Sequence, residues 1–233
     1  MSNSCVITNE EGWYKKALDT DLARPKFAIM NPEITYTLPD YQTQCGCADI
    51  MMHTMERYFV LEDTMEITDK IAQDVMKNVM KYAKILKKDP ENYEARAEIM
   101  WCGSLSHNGL TGCGTCGGDW ATHLIEHELG GMFDVAHGAG LAAVWGSWAR
   151  YVMDEKPERF AQFAVDVMGV EESDDVKSTA LKGIEAVEEF YRMIEMPTNM
   201  KELGINPTDE QIKDMAMKAT NHDTQQLGAF KKL

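Results

Sequence analysis

The chain has 233 residues, of which 44% are hydrophobic, so it can build one large domain or two small ones. Its formal net charge is −15, and the 38 acidic side chains are spread along the sequence, which disfavours nucleic acids and anionic membranes as partners. No apolar run reaches the length of a membrane span, and the first residues lack the order of a signal peptide, so we expect a cytoplasmic protein.

The N-terminal segment, residues 1–38, is predicted to be extended. Between Pro25 and Leu38, the short apolar run Phe27–Met30 is followed by alternating β-branched residues, a pattern typical of a strand and a connector. After this segment, apolar residues recur about every 3.6 positions, and this spacing predicts eight helices, at 40–59, 62–87, 91–108, 119–130, 137–153, 157–168, 173–196 and 208–220. We therefore expect an all-α multi-helix bundle over residues 39–233, preceded by the short extended segment.

The first predicted helix carries a carboxylate and an imidazole on one face. Asp49 and His53 are four residues apart, so both side chains could reach one ion. An exposed ion pair between them is the alternative. The neighbouring Ile50 and Met52 indicate a buried helix, and a buried acid and imidazole usually need a common purpose.

Three of the six histidines fall in the stretch DWATHLIEHELGGMFDVAHG. His123 and His127 repeat the four-residue spacing on a helix that Asp119 is expected to cap. Gly130-Gly131 is expected to end that helix, which would let His137, at the start of the next one, fold back toward the first pair. Together with the Asp/His pair of the first helix, this arrangement favours a metal site.

The same stretch also matches the H-x-x-E-H pattern of zinc peptidases. In that interpretation His123 and His127 bind zinc and Glu126 activates water. It leaves Asp49, His53 and His137 without a role. We therefore favour the alternative in which Glu126 is a helix-surface residue or supports a metal ligand without binding the ion itself.

The glycine and cysteine motifs are weaker signals. GCGTCG, at residues 112–117, satisfies G-x-G-x-x-G but follows a helical segment where a dinucleotide loop requires a strand, so it predicts a connector between helices. Cys45-x-Cys47 and Cys113-x-x-Cys116 could form a zinc site, and the second pair could be redox-active. Reduced cysteines that act as small packing residues near the site are the favoured interpretation.

Several longer segments together resemble the iron-containing (group III) alcohol dehydrogenases, most closely the butanol-dehydrogenase-like branch. They are NPEITYTLPDYQ, GCADIMMHTMERY, NGLTGCGTCGGDWATHLIEHELGGMFDVAHGAGLAAVW and LGAFKKL, in the family's order and spacing. The resemblance implies the helical C-terminal domain of the iron-type alcohol dehydrogenase and dehydroquinate synthase-like fold.

The resemblance also implies roles for individual residues. Asp49, His53, His123 and His137 match the family's metal ligands, for Fe²⁺ or Zn²⁺, and His127 matches a histidine that contacts the substrate and the nicotinamide side of the cleft. The implied substrates are small alcohols and aldehydes, with NAD(P) as cofactor. His127 is then the candidate for proton transfer.

The family's nucleotide-binding domain, with its pyrophosphate loop, has no counterpart in the sequence. We therefore expect metal binding with weak or lost dehydrogenase turnover by this chain alone, and residues 1–38 as a remnant of a domain junction. The exposed run Phe27–Met30 would favour a homo-oligomer or a separate nucleotide-binding domain as partner. A metal-dependent hydrolase and a non-catalytic metal-binding or assembly module are the alternative functions.

Overall fold

The computed structural model describes residues 3–62 and 65–233, and its described part is mainly helical. All eight predicted helices are present, with ends that differ from the prediction by a few residues. The second was predicted to begin at 62, beside residues 63–64, which lie outside the described part. The helices are α1 Asp40–Tyr58, α2 Glu66–Leu86, α3 Tyr93–His107, α4 Ala121–Phe133, α5 His137–Val152, α6 Pro157–Asp166, α7 Val176–Met193 and α8 Asp209–Ala219.

The N-terminal segment forms a β-hairpin that the sequence did not predict. Strands β1 (Ser4–Asn9) and β2 (Tyr14–Asp19) are antiparallel, with Ser4 opposite Asp19 and Asn9 opposite Tyr14. The tight turn between them places both Gly12 and Trp13 at positive φ. The hairpin packs on α4 through β2 and so reaches the helical domain.

The predicted strand at Phe27–Met30 is wrong. These residues adopt no regular structure, and Phe27 and Ile29 are 76% and 87% exposed, because no other strand in the described part of the chain lies beside them to complete a ladder. The β-branched residues that follow form a short 3₁₀ turn, Pro32–Thr35. It begins where the Asn31 side chain accepts a hydrogen bond from the backbone N–H of Glu33.

Helix α1 lies at the centre of the helical domain. It packs against α2, α3 and α5, while α4 contacts α5 and α8, and α6 pairs with α7. One face of α1 joins a core rich in methionine and aromatic residues, in which the rings of Phe59 and Phe160 stack at 4.3 Å. Core contacts on this side hold the opposite face of α1, which carries Asp49 and His53, in a fixed position.

Helix α4 does not end at Gly130-Gly131, contrary to the prediction. It continues to Phe133, and the residue after it, Asp134, is in the left-handed conformation that ends the helix. A Cβ on Gly131 would lie 2.7 Å from the carbonyl oxygen of Trp13. The two glycines therefore allow the hairpin to approach the helix closely and do not break it.

The start of α4 also differs from the prediction. The N-cap residue is Trp120, with φ of 65°, and Asp119 precedes it. One oxygen of Asp119 accepts from the backbone N–H of Ala121 at 3.0 Å, and the other accepts from Ala229 and Phe230 at 2.7 Å each. Asp119 thus ties the C-terminal residues to the beginning of the histidine-bearing helix.

None of the helices in the described ranges is both long enough and apolar enough to cross a membrane.

Candidate metal centre

Asp49, His53, His123 and His137 converge at one point. Two of these residues lie on α1, one lies on α4, and His137 is the first residue of α5. The Nε2 atom of each histidine lies 3.6 Å from the same oxygen of Asp49, Oδ1. Two donors that bind one ion at about 2.1 Å with tetrahedral angles are separated by about 3.4 Å. The separations from Asp49 Oδ1 therefore fit donors of a common divalent ion. Ligand atoms of Asp49, His53 and His123 also lie within 4.8 Å of one another, whereas His137 falls in a neighbouring group with Glu126 and His127.

The polar atoms at this point lack partners. Asp49 Oδ1, His123 Nε2 and His53 Nδ1 are buried and make no hydrogen bond among the described residues. Buried polar atoms are rarely left in this state, since each would cost about 1–3 kcal/mol. A cation between the carboxylate and the imidazoles would satisfy Asp49 Oδ1 and His123 Nε2 together, so the residues present fit a divalent metal.

A buried glutamate on α1 fixes the ring of His123. The His123 Nδ1 lies 3.1 Å from Glu56 Oε1, and because a carboxylate only accepts, Nδ1 is the donor and Nε2 is the ring nitrogen that faces Asp49. Glu56 also accepts from the backbone N–H groups of His123, at 3.1 Å, and Trp120, at 2.6 Å. It thus positions both the ring and the start of α4. Glu56 was not predicted from the sequence, although its place three residues after His53 on a buried helix was a usable signal.

A second glutamate holds His137 in the same way. The His137 Nδ1 donates a hydrogen bond to Glu126 Oε2, and Lys15 of β2 lies 3.4 Å from that oxygen. Glu126 is fully buried, so the prediction of a helix-surface residue is wrong. Its contact with His137 agrees with the alternative prediction, in which Glu126 supports a metal ligand without binding the ion itself. Gly140 makes room for it, since a Cβ there would lie 2.8 Å from the Glu126 Cγ.

The pKa values of the cluster follow from burial and mutual charge. Burial alone would raise the pKa of Asp49, but its contact with His123 and the charges of His53 and His137 hold it well below the usual range. Burial alone would lower the pKa of His123, but Asp49 and Glu56 raise it to about 9. Burial lowers the pKa of His53 strongly. A proton on His123 and a divalent cation are thus alternative ways to offset the charge of Asp49.

His127 lies beside this cluster, with its ring 5.7 Å from that of His137. Burial, followed by the charges of His137 and Lys15, lowers the pKa of His127 to about 3. Its ring nitrogen, together with Glu126 and His137, belongs to a second group of atoms that could bind a metal. Because Glu126 Oε2 already accepts a hydrogen bond from His137, we interpret Glu126 as a residue that orients the His137 ring, and not as a ligand of a second metal ion.

The cluster opens onto a cavity of about 620 Å³. Helix residues form one wall, and hairpin residues from both strands, such as Val6 and Ala17, form the other. Arg57 contributes to the helical wall by donating from Nη1 to the carbonyl oxygens of His53 and Ser106 and by lying over the Trp120 ring at 4.6 Å. Sequence patterns alone did not identify the hairpin or Arg57 as part of the cavity.

A further histidine, His107 at the end of α3, also lies here and was not predicted. Its ring is 3.7 Å from that of His53, and its Nε2 is 3.8 Å from Asp49 Oδ2, the second carboxylate oxygen. Burial lowers its pKa. The sequence signal, a histidine followed by the helix-ending Asn-Gly, was not distinctive.

The other motifs of the sequence lie outside this geometry. Cys45 and Cys47 are buried, Cys113 and Cys116 are exposed, and neither group of candidate metal ligands found in the described ranges contains a cysteine. The glycine-rich stretch 112–117 lies between a 3₁₀ turn and α4, which agrees with its interpretation as a connector. A zinc site or a dinucleotide loop built from these motifs is therefore not favoured.

Comparison with known proteins decides the family. Residues 43–233 match the Fe-containing alcohol dehydrogenase family, C-terminal region. The chain belongs to the iron-containing alcohol dehydrogenases. It is 33% identical to the NADH-dependent butanol dehydrogenase A of Clostridium acetobutylicum, over 99% of this chain and 59% of that enzyme. It is 36% identical to the probable NADH-dependent butanol dehydrogenase 1 of Bacillus subtilis, over all of this chain and 59% of the relative.

Solved structures of iron-containing alcohol dehydrogenases share the fold. The crystal structure of NADH-dependent butanol dehydrogenase A from Thermotoga maritima superposes with a TM-score of 0.93 at 34% identity, covering all of this chain and 59% of that one. The predicted family, its butanol-dehydrogenase-like branch and the helical C-terminal domain are therefore confirmed. The chain spans about three-fifths of the length of these relatives.

Proposed function

We propose that this chain is the metal- and substrate-binding half of an NAD(P)-dependent alcohol dehydrogenase that interconverts small alcohols and aldehydes. The observation that carries the proposal is the convergence of three histidine Nε2 atoms on one oxygen of Asp49, at 3.6 Å each, beside a cavity. The relatives described above are named as NADH-dependent butanol dehydrogenases, which supports the reaction class.

Asp49, His53, His123 and His137 would hold the ion, Fe²⁺ or Zn²⁺. When bound, such an ion polarises the oxygen of an alcohol or aldehyde and so favours hydride transfer to or from a nicotinamide. The protein contributes the orientation of the donors. Glu56 and Glu126 hold the rings of His123 and His137 with Nε2 directed at Asp49.

His127 is proposed to move the proton of the alcohol. It lines the cavity next to the cluster, and burial with the charges of His137 and Lys15 lowers its pKa, so the ring is neutral and one of its nitrogens carries a lone pair. The family resemblance also implies that this histidine contacts the nicotinamide side of the cleft. His127 is thus the proposed catalytic residue, with a minor part in cofactor binding.

We propose that most nicotinamide contacts come from outside residues 39–233, the helical metal-binding domain. The glycine-rich stretch 112–117 connects helices, and so it lacks the strand–turn–helix setting that binds pyrophosphate. Residues 39–233 tested alone would then show weak or lost turnover. Residues 1–38 would be the junction segment, and the second cleft wall would come from a separate nucleotide-binding domain or a second copy.

Metal titration of the purified chain tests the proposal. We expect about one Co²⁺ or Zn²⁺ per chain by equilibrium dialysis, binding lost in Asp49→Ala, and binding kept in His127→Ala. In the same preparation, NAD(P)-dependent oxidation of 1-butanol should be slow or absent. Failure of the parent chain to bind a divalent ion would overturn the metal centre, and rapid turnover would overturn the expectation of weak activity.

The same variants separate this function from a peptidase-type hydrolase. A peptidase site needs His123, His127 and Glu126 but not Asp49, so Asp49→Ala should leave it intact. Glu126→Ala does not discriminate, because Glu126 contacts His137 and its loss should weaken either site. A non-catalytic metal-binding module would bind the ion, but it would show no alcohol-dependent reduction of NAD(P) when a nucleotide-binding partner is supplied.

A further inference from the structure

Arg57 is a cation of the cavity that has no acidic partner among the described residues. The carboxylates that line the cavity with it are Asp19 and Asp49, and neither forms an ion pair with Arg57. The adjacent Glu56 directs its carboxylate to α4 instead. A guanidinium stays charged in proteins, and a partly buried charge is costly unless an anion offsets it. Arg57 therefore has the charge to bind an anionic ligand in this cavity.

The hydrogen bonds of Arg57 show which of its donors remain available. Its Nη1 donates to the carbonyl oxygens of His53, at 2.9 Å, and Ser106, at 2.8 Å. Its Nε and Nη2 donate to no acceptor in the described part of the chain. These two nitrogens lie on one edge of the guanidinium, and their parallel N–H bonds match the two oxygens of a carboxylate. The remaining donors thus form a fork suited to a carboxylate.

The side chain of Arg57 is also held in place before any ligand binds. Gly112 lies against its stem, where a Cβ would be only 2.9 Å from the Arg57 Cδ. The ring of Trp120 lies 4.6 Å from the guanidinium carbon on another side. A donor group that is already ordered loses little conformational freedom when a ligand binds, so more of the interaction energy contributes to affinity.

Arg57 follows His53 by one turn of α1, a distance of about 5.4 Å along the helix axis. Both residues line the same cavity. A short substrate with its alcohol or aldehyde oxygen at the metal centre could therefore place a group at its other end beside Arg57. A bound divalent ion and the guanidinium would both attract an anion to this cavity.

We propose that the cavity selects short alcohols and aldehydes that bear a carboxylate at the opposite end, and that Arg57 binds this carboxylate. The inference rests on the proposed function and specifies its substrate class. Neutral alcohols of the same length would leave the Arg57 fork without an acceptor, and so they should bind less tightly.

Isothermal titration calorimetry of the Zn²⁺-loaded chain tests the proposal. The probes are 4-hydroxybutanoate and 1,4-butanediol, which share chain length and a terminal hydroxyl but differ in the carboxylate. We expect the parent to bind 4-hydroxybutanoate about tenfold or more tightly than the diol. Arg57→Gln and Arg57→Met should lose most of this difference. Arg192→Gln, which removes a charge from α7 outside the cavity, should keep it.

The same titrations on the metal-free chain separate Arg57 from the ion. If the metal-loaded parent binds both probes equally, or if either folded Arg57 variant keeps the preference of the parent, the proposal is overturned while the metal centre stands. Equal loss of the preference in Arg192→Gln would show an effect of net charge and would also overturn it.

Failure of the proposed function gives a different result. If the parent binds no divalent ion, the metal centre is overturned. Tighter binding of 4-hydroxybutanoate by the metal-free parent, removed by Arg57→Gln, would nevertheless support Arg57 as a carboxylate-binding residue.

Discussion

The proposed metal centre depends on residues that would not touch the ion. Glu56 accepts three hydrogen bonds, one from the His123 ring and two from backbone N–H groups at the start of α4. Such supporting carboxylates typically change metal affinity by about 10–100-fold. We therefore expect Glu56→Gln to weaken Co²⁺ binding within that range, measured by competition with a chelator. Unchanged affinity in the folded variant would show that Glu56 has no part in the site.

Glu128 offers the matched control and a prediction about pH. It lies on α4 near α8, and burial, partly opposed by Lys218, raises its pKa to about 7. The ordinary value is 4.5, so the folded state binds more protons between pH 4.5 and 7. The corresponding contribution to stability is present below pH 4.5 and is lost as the pH rises to about 7.

Glu128→Gln should therefore stabilise the protein above pH 7 and have less effect near pH 5. We expect the free energy of unfolding at pH 8 to rise by about 1 kcal/mol, after allowance for solvent screening. Urea unfolding at both pH values measures the difference, with the exposed Glu210→Gln as control. A change in stability that is equal at both pH values would contradict the account. Co²⁺ affinity should stay near that of the parent.

At the scale of elements, the site depends on how closely α5 approaches α1. Gly138, next to His137, lies so near the Cys45 carbonyl that a Cβ would overlap it. Gly138→Ala should therefore push the two helices apart, lower the free energy of unfolding by about 1–3 kcal/mol, and weaken Co²⁺ binding. Chemical denaturation and metal titration measure the two effects.

Gly46 provides the matched control for that substitution. It lies in α1 beside Cys45, and a Cβ there would meet no heavy atom within 4 Å. Alanine is favoured over glycine in a helix by about 0.5–1 kcal/mol, so Gly46→Ala should stabilise slightly and leave metal binding unchanged. Equal destabilisation by both substitutions would show that close approach of α1 and α5 is not the cause.

The helices were predictable because their apolar spacing is regular over many turns. The helix ends were less predictable, as α4 shows. Gly130-Gly131 is a local pattern typical of a helix end. In the structure these glycines instead leave space for the backbone of Trp13, in a hairpin more than a hundred residues earlier in the chain. The same holds for the hairpin itself, whose strands pair only with each other, while the more strand-like run Phe27–Met30 has no strand beside it in the described structure. Local sequence patterns do not show which residues from distant parts of the chain will lie next to each other.

For the site, spacing within one helix was informative and contacts between helices were not. Asp49 with His53, and His123 with His127, stood out because four-residue spacing places side chains on one face. Their convergence with His137 came from the family resemblance and from the turn after α4. Glu56, Arg57 and His107 were missed because their relation to the cluster arises only when α1, α3 and α4 pack together.

At the scale of the whole molecule, the N-terminal segment exposes an unusual amount of apolar surface. Phe27, Ile29, Ile34 and Leu22 are each more than two-thirds exposed. Large apolar side chains exposed within one short segment favour association. We therefore expect concentration-dependent self-association of the chain in light scattering, reduced in the double variant Phe27→Ser/Ile29→Ser and not by Ile212→Ser on α8. A strict monomer at high concentration would contradict this prediction.

The central claim is that one divalent ion binds between Asp49 and three histidines. Anomalous scattering from crystals of the Co²⁺-loaded chain tests this claim most directly, since it locates the ion without reference to activity. The account predicts one peak within bonding distance, about 2.1 Å, of Asp49 Oδ1 and the Nε2 atoms of His53, His123 and His137. A peak shared by His123 and His127 without Asp49, or crystals from saturating cobalt with no peak at this cluster, would contradict it.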